Sequence, residues 1–454
     1  MWIMEDSLPN IKSFFRGIEA TSSARSMLMR FMVSILVRHG RNSSMNAASV
    51  LAEKPRHRAQ PARFLARARW RAMNIPGQLV RKLLENESWS GDYILILDST
   101  LVGHQGQTME NTYSTGNRKR RSAKNRRYSK YKYARKSCHC FVFGLLLTPE
   151  GLRIPFVKPL YTKVFAKENK KKRYTQAQLG AQIINELPIP RGVSVTVLGD
   201  TAFDARVIRE ACDRRGYIWI FPVNANRVFA GKRGARPRVS SRIKKLSKKH
   251  FQTIRISFSK GKYARQRRLS RHRMGSKLKT RTYHVHSEKR EVHSVGQVKL
   301  VFSSTKLKNG KAVRESTKIL MTNAVGLTAR QVVELYCVRW QIELFFKELK
   351  SILGMQQYQY KKFDAVEGWI EMVLITFVYL EWIRAAKLKD KRVSSANKQI
   401  WRCQRAYGIR QAVLVGIQTR QVRWTQKRLR SKYGLKTLAK TMTQLLAYEY
   451  RCAA

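Results

Sequence analysis

Two short runs, YILILDST at residues 93–100 and VSVTVLGDTAFD at residues 193–204, limit what this chain can fold into more than any other feature. Residues 93–97 are apolar or aromatic at every position and of strand length. A strand with one wet face alternates, so an unbroken run belongs to a strand covered on both faces. That requires helices packed on a sheet, an α/β arrangement. Residues 193–198, mostly apolar with Ser194 and Thr196 between valines, read as another strand. Each run stops at an acid, Asp98 before Ser99-Thr100 and Asp200 after Gly199. Acids at the C-terminal ends of two central strands of such a sheet point into one crevice. Either aspartate alone also fits a turn or helix cap. Asp204 competes with Asp200, but one turn into the following helix it is less well placed.

The pattern around these runs is β(Asp)–ββ–α–β(Asp)–α–β. Residues 139–147 and 152–160 form a hairpin through Pro149-Glu150-Gly151. Residues 175–186 and 202–215 are helices, and 217–221 is a further strand. Residues 1–90 read as a helical region with basic connections, compatible with DNA contact. Residues 91–223 hold the first part of the α/β core. From 224 to 322 basic runs alternate with short β-like segments (254–258, 280–286, 297–303, 317–321), a β-rich insertion. Residues 323–360 return to the core, and 361–454 form a helical C-terminal region. There, 365–387 is a helix introduced by Asp364 and Glu367. Its most apolar stretch, 372–380, is too short to span a bilayer and reads as a buried helix.

Residues 331–353, QVVELYCVRWQIELFFKELKSIL, lack Pro and Gly and read as one helix. At about 100° per residue, Leu335, Val338, Ile342, Phe345, Phe346 and Leu349 share a core-facing stripe. Tyr336, Arg339, Glu343 and Lys350 fall within an arc of roughly 60° beside it. An ordinary amphipathic helix with an Arg339–Glu343 ion pair explains part of this. A site for a metal ion and a phosphodiester explains all of it: the carboxylate holds metal, and the cations and hydroxyl grip phosphate oxygens.

Charge decides between partners. The chain of 454 residues carries 92 Lys+Arg against 28 Asp+Glu, a formal +64. So much self-repulsion calls for a polyanion, and DNA or RNA fits better than an anionic membrane. Residues 116–136, GNRKRRSAKNRRYSKYKYARK, interleave cations with tyrosines, a composition for backbone contact and stacking. Six cysteines show no disulfide framework, which points to a reducing compartment and a cytoplasmic, nucleoid-associated protein. Residues 1–6 do not read as a secretory leader. Cys138-His139-Cys140 invites a zinc reading, but no second pair lies at finger spacing and the alternation is that of a strand.

The spacing Tyr336-x2-Arg339-x3-Glu343-x6-Lys350 resembles the Tyr–Arg–Glu–Lys signature of bacterial insertion-sequence DDE transposases of the cut-and-paste kind. LILDST at Asp98 and VLGDTAFDA at Asp200 resemble that family's first and second aspartate segments. The resemblance covers residues 90–352. It implies an RNase H-like catalytic core interrupted by a β-rich insertion, paired transposon ends and target DNA as partners, and a homodimer. It also implies a tryptophan of the insertion stacking on a flipped base or hairpin. Residues 225–335 contain no Trp, leaving Tyr263, Tyr283 or Phe258 for that part.

The chemistry is legible beside the family name. Asp98, Asp200 and Glu343 can hold two divalent ions for in-line attack on phosphorus. Mg²⁺ suits such a carboxylate set, with Mn²⁺ as a substitute. Arg339 and Lys350 then clamp the DNA backbone, and Tyr336 donates to a phosphate. Three rivals stand beside the transposase: a structure-selective nuclease on the same scaffold, a non-catalytic DNA-binding descendant, and an RNA-packaging protein.

Overall fold

The sheet is built on β1 (Tyr93–His104), which lies between antiparallel β3 (Lys136–Leu147) and parallel β5 (Val195–Leu198). A computed structural model describes residues 11–37, 60–66, 68–85, 87–104, 109–115, 136–224, 226–231, 236–258 and 279–385. The basic segment 116–135, Tyr263 and the region 386–454 lie outside the described residues. Tyr93 through Leu97 are fully buried, as the unbroken apolar run requires.

On one side of β1, β3 also pairs with β2 (Tyr113–Thr115) and β4 (Arg153–Pro159). The β3–β4 turn ends at Gly151, whose φ of 85° is the left-handed conformation that glycine adopts without strain. On the other side, β5 pairs in parallel with β6 (Ile218–Pro222). The segment after β6 adds β7 (Gln252–Phe258), β8 (Lys279–Val292), β9 (Gly296–Ser304), the small pair β10 (Leu307–Lys308) and β11 (Lys311–Ala312), and β12 (Thr317–Thr322). β12 returns antiparallel to β6, so β12, β9, β8 and β7 continue the same sheet, while β10 and β11 form a separate two-stranded one. Among the described residues the main sheet has ten strands in the order β2-β3-β1-β5-β6-β12-β9-β8-β7, with β4 on β3. The result is a mixed α/β fold with a large mixed sheet.

The first helices are α1 (Ile11–Phe14), α2 (Ser22–Val37), α3 (Gln60–Ala66) and α4 (Ile75–Leu84). Two helices lie between β4 and β5. They are α5 (Lys163–Glu168) and α6 (Gln176–Asn185), the latter opened by a Thr175–Gln178 capping box. The single helix expected over 202–215 is instead a 3₁₀ turn, Thr201–Phe203, followed by α7 (Arg206–Arg214). The break falls at Asp204, whose buried carboxylate pairs with Arg209 and with Arg227. A propensity reading sees neither arginine partner.

The Glu-bearing segment gives α8 (Ala329–Cys337) and α9 (Trp340–Lys347), and the C-terminal helix is α10 (Phe363–Ala385). Residues of α10 from Met372 to Leu380 are buried, and no helix among the described residues is long and apolar enough to cross a membrane. Helices α2, α3 and α4 pack against α10. Phe14 meets Tyr379 and Trp382 with ring centroids 5.3 and 5.6 Å apart. Gly368 lets the backbone of α3 approach: a Cβ there would sit 2.6 Å from the Leu65 carbonyl oxygen.

A fully buried charge cluster ties β4 to the late helices. The Arg153 guanidinium donates to both oxygens of Glu348 at 3.2 and 3.4 Å and to Glu381 at 3.2 Å. All three side chains are 0% exposed. The Arg153 backbone N–H donates to the second Glu381 oxygen. Cys138, Cys140 and Cys212 are buried free thiols. His139 is enclosed by the Tyr358 hydroxyl at 2.6 Å and the Glu110 carbonyl at 2.8 Å.

Candidate active site

Strand register brings the two aspartates together. β1 and β5 run in parallel with Ile96 opposite Leu198. Two residues further on each chain stand Asp98 and Asp200, and the two-residue period of extended chain puts both on one side. β5 ends at Leu198, whereas β1 continues to His104 against β3, with Asp98 opposite Phe143. Asp98 therefore lies in mid-strand rather than at the strand tip expected for it. The crevice opens because the neighbouring strand stops.

Asp98 Oδ1 accepts the Ser99 N–H at 2.8 Å, and Asp200 Oδ1 accepts the Ala202 N–H at 2.9 Å. Asp200 thus caps the 3₁₀ turn and faces the crevice as well. Burial pushes the Asp98 carboxyl up to about 6; the Ser99 N–H opposes this, Asp200 adds to it, Arg339 opposes it and Glu343 adds to it.

Glu343 arrives on α9. The predicted helix is real but not uniform. Between α8 and α9 the chain tightens: Arg339 N–H donates to the Tyr336 carbonyl and Ile342 N–H to the Arg339 carbonyl, three residues apart. After α9 it widens into a π turn, Glu348–Ile352, that begins where Glu348 enters the buried Arg153 cluster. The predicted stripe holds, with Val338, Ile342, Phe345 and Leu349 fully buried and Leu335 and Phe346 partly so.

One side chain links strand and helix. Arg339 donates through Nη2 to Glu343 Oε1 at 2.7 Å and reaches Asp98 Oδ2 through Nη1 at 3.4 Å. The guanidinium stands between the two carboxylates. Among the described residues, no three His, Cys, Asp or Glu side chains are gathered closely enough to hold a metal ion. Tyr336 is half-buried, its hydroxyl pushed up to about 12 by burial, and it hydrogen-bonds Arg339. Lys350 donates to the Leu101 carbonyl at 3.1 Å, on the strand that carries Asp98, and burial lowers its pKa. The structure therefore joins Tyr336, Arg339, Asp98 and Glu343 by side-chain contacts, ties Lys350 to the strand of Asp98, sets Asp200 near enough to act on the Asp98 charge, and separates Asp98 from Glu343 by Arg339.

Four further residues, Lys318, Trp340, Arg281 and Arg314, were not singled out from the sequence. Lys318 on β12 lies over the Tyr336 ring, 5.1 Å from its centroid. Its pKa is lowered by burial and then by Arg339, with Cys337, Glu343 and Asp200 pulling the other way. Trp340 is 56% exposed on the helix surface. With Arg281, Tyr283, Arg314 and Lys318 it lines a cleft of about 790 Å³ that also includes Tyr336 and Arg339. Trp340 could have been found: it sits about 40° past Tyr336 on the wheel, away from the core stripe. Lys318 carried no such signal, because its neighbours come from distant strands.

A strongly cationic, mixed α/β chain with acids from two strands and a helix beside a basic, aromatic cleft has the make-up of a nucleic-acid-processing enzyme. The family model for the transposase DDE domain matches residues 89–379, so the chain belongs to that family. The match spans all six predicted site residues and stops short of the first four helices. Comparison with curated proteins finds no match.

Proposed function

We propose that this protein cleaves DNA at the ends of a cut-and-paste insertion sequence and transfers the freed strand into target DNA. The observation that supports the reading is that Arg339 bridges Asp98 and Glu343, acids from two separate chain segments, while Asp200 lies near enough to Asp98 to act on its charge. In this reading β1, β3, β4, β5 and β6, with their helices and α8–α9, form an RNase H-like core. The strands of residues 224–322 are its insertion. The first helices and the basic segment 116–136 add DNA contacts, and two copies pair the two ends.

The donor set suits a divalent ion. It consists of hard carboxylate oxygens, and the Asp98 carboxyl, raised first by burial and further by Asp200 and Glu343, would be relieved by a cation beside it. Asp98, Asp200 and Glu343 are the residues that would hold it. Two bound Mg²⁺ ions would supply activation of the attacking oxygen and stabilisation of the leaving one. The chain's own residues supply position. Arg339 offers a planar fork to a phosphate, and Lys350 and Lys318 offer point charges on either side. Tyr336, its proton held by burial, donates rather than accepts. The helix and β1 are tied by Lys350 at Leu101, which fixes the distance between the acids and the cations that meet the DNA.

The test is joining. Labelled DNA bearing the ends of the element that encodes the chain is incubated with plasmid and Mg²⁺. Covalent joining of label to plasmid is the expected result. Cutting without joining would make it a nuclease, and a gel shift without cutting would make it a DNA-binding protein.

A further inference from the structure

Besides its hydrogen bond with Tyr336, Arg339 makes two ion-pair contacts of different kinds. Its bond to Glu343 is an i,i+4 pair that any amphipathic helix could form. Its contact with Asp98 crosses 241 residues of sequence to another element. One fork therefore takes an oxygen from each of two acids that a divalent ion would need. A metal ion and a guanidinium compete for the same lone pairs.

We propose that Arg339 is a built-in counter-ion that makes metal loading conditional on DNA: it blocks the acids until a phosphate draws the guanidinium away. This rests on the reading that Asp98, Asp200 and Glu343 are metal ligands. The surroundings favour the exchange. Lys318, over the Tyr336 ring, repels Arg339 and holds it toward the acids while no DNA is bound, a bias that a phosphate neutralising Lys318 removes. The cleft that Arg339 also lines carries Arg281, Arg314 and Lys318 against Glu315, so a phosphate entering there is attracted. That phosphate offers the fork a two-oxygen partner as good as the pair it leaves. By linkage, whatever DNA gains by taking Arg339 appears as tighter metal binding, and the same factor runs in reverse.

The experiment measures Mn²⁺ binding to the full chain by electron paramagnetic resonance, with no turnover needed. Without DNA, wild type should bind Mn²⁺ weakly and Arg339→Gln about tenfold or more tightly, within the usual range of coupling between sites. A random-sequence duplex should tighten binding to wild type and change Arg339→Gln little. Metal held by the duplex itself is subtracted using the Asp98→Asn/Glu343→Gln variant. If Arg339→Gln fails to fold, Arg339→Lys gives the same readout, because one ammonium cannot span both acids. Equal Mn²⁺ affinity of wild type and the Arg339 variants without DNA would overturn the counter-ion role and leave the transposase reading intact. No specific Mn²⁺ binding in any variant, with or without DNA, would overturn both.

Discussion

Asp98→Asn should make the metal-free protein more stable at neutral pH while removing its activity. The Asp98 carboxyl titrates at about 6 in the fold against an ordinary 3.8, because burial and the carboxylates of Asp200 and Glu343 outweigh Arg339 and the Ser99 N–H. The folded chain therefore holds this proton more tightly than the unfolded chain does. The stability contributed by this group is full below pH 4 and is lost as pH rises through the window from about 4 to about 6. A shift of two units corresponds to about 3 kcal/mol, all of it lost by pH 7. Asparagine carries no charge and keeps an oxygen for the Ser99 N–H, though its amide faces the Arg339 donor. The net gain at pH 7.5 should be about 2 kcal/mol. Urea unfolding in EDTA, followed by fluorescence from pH 4 to pH 8, reads the difference directly. The two proteins should converge near pH 4 and separate with the variant above. With a DNA duplex present, Mg²⁺ should then raise the wild-type midpoint and leave the variant's unchanged. An Asn variant less stable than wild type at pH 7.5, or a gap that does not close toward pH 4, would refute the electrostatic account.

Asp200→Asn should keep the cap on the Ala202 N–H, because asparagine caps as well as aspartate does, and should lose metal-dependent cleavage. Full cleavage by that folded variant would reduce Asp200 to a cap. Lys318→Ala should weaken DNA binding and lower the slope of log affinity against log salt by about one, measured by fluorescence anisotropy. An unchanged slope would remove Lys318 from the interface. Arg153→Met strands two buried carboxylates and should cost about 3–5 kcal/mol in urea unfolding, whereas the triple change with Glu348→Leu and Glu381→Leu should recover most of it. Gly368→Ala presses a methyl on the Leu65 carbonyl and should destabilise by about 1–3 kcal/mol, lowering the urea midpoint.

What could be read from the sequence depended on how local its cause was. The buried run ending in Asp98 announced a covered strand, because its alternation was missing over five consecutive residues. The placement of Tyr336, Arg339, Glu343 and Lys350 followed from helical spacing alone, and so did the stripe of Val338, Ile342 and Phe345. The extension of β1 to His104 was hidden, because it depends on β3 continuing alongside after β5 has stopped. The split of the helix at Asp204 was hidden for a similar reason, since Arg227 lies beyond another strand. The tightened and widened turns flanking α9 leave no mark on a wheel, which assumes one pitch throughout. Arg153 sat in a strand reading as one more cation in a basic chain; only the fold shows it enclosed. Asp200 does cap the 3₁₀ turn, and since the cap uses one carboxylate oxygen, the cap reading and the proposed site reading do not exclude each other.

The enclosed trio of Arg153, Glu348 and Glu381 has a bearing on how such chains diverge. Their codons lie 195 and 228 residues from the first. A change at the arginine alone exposes its two acids to apolar surroundings, at a cost that is a large share of an ordinary protein's 5–15 kcal/mol margin. An apolar replacement of all three is tolerable once complete, yet the route to it passes through lineages that fold poorly. Drift at these positions is therefore contingent on history, and a copy that has lost one partner is expected to decay into a non-functional remnant rather than to explore new sequence.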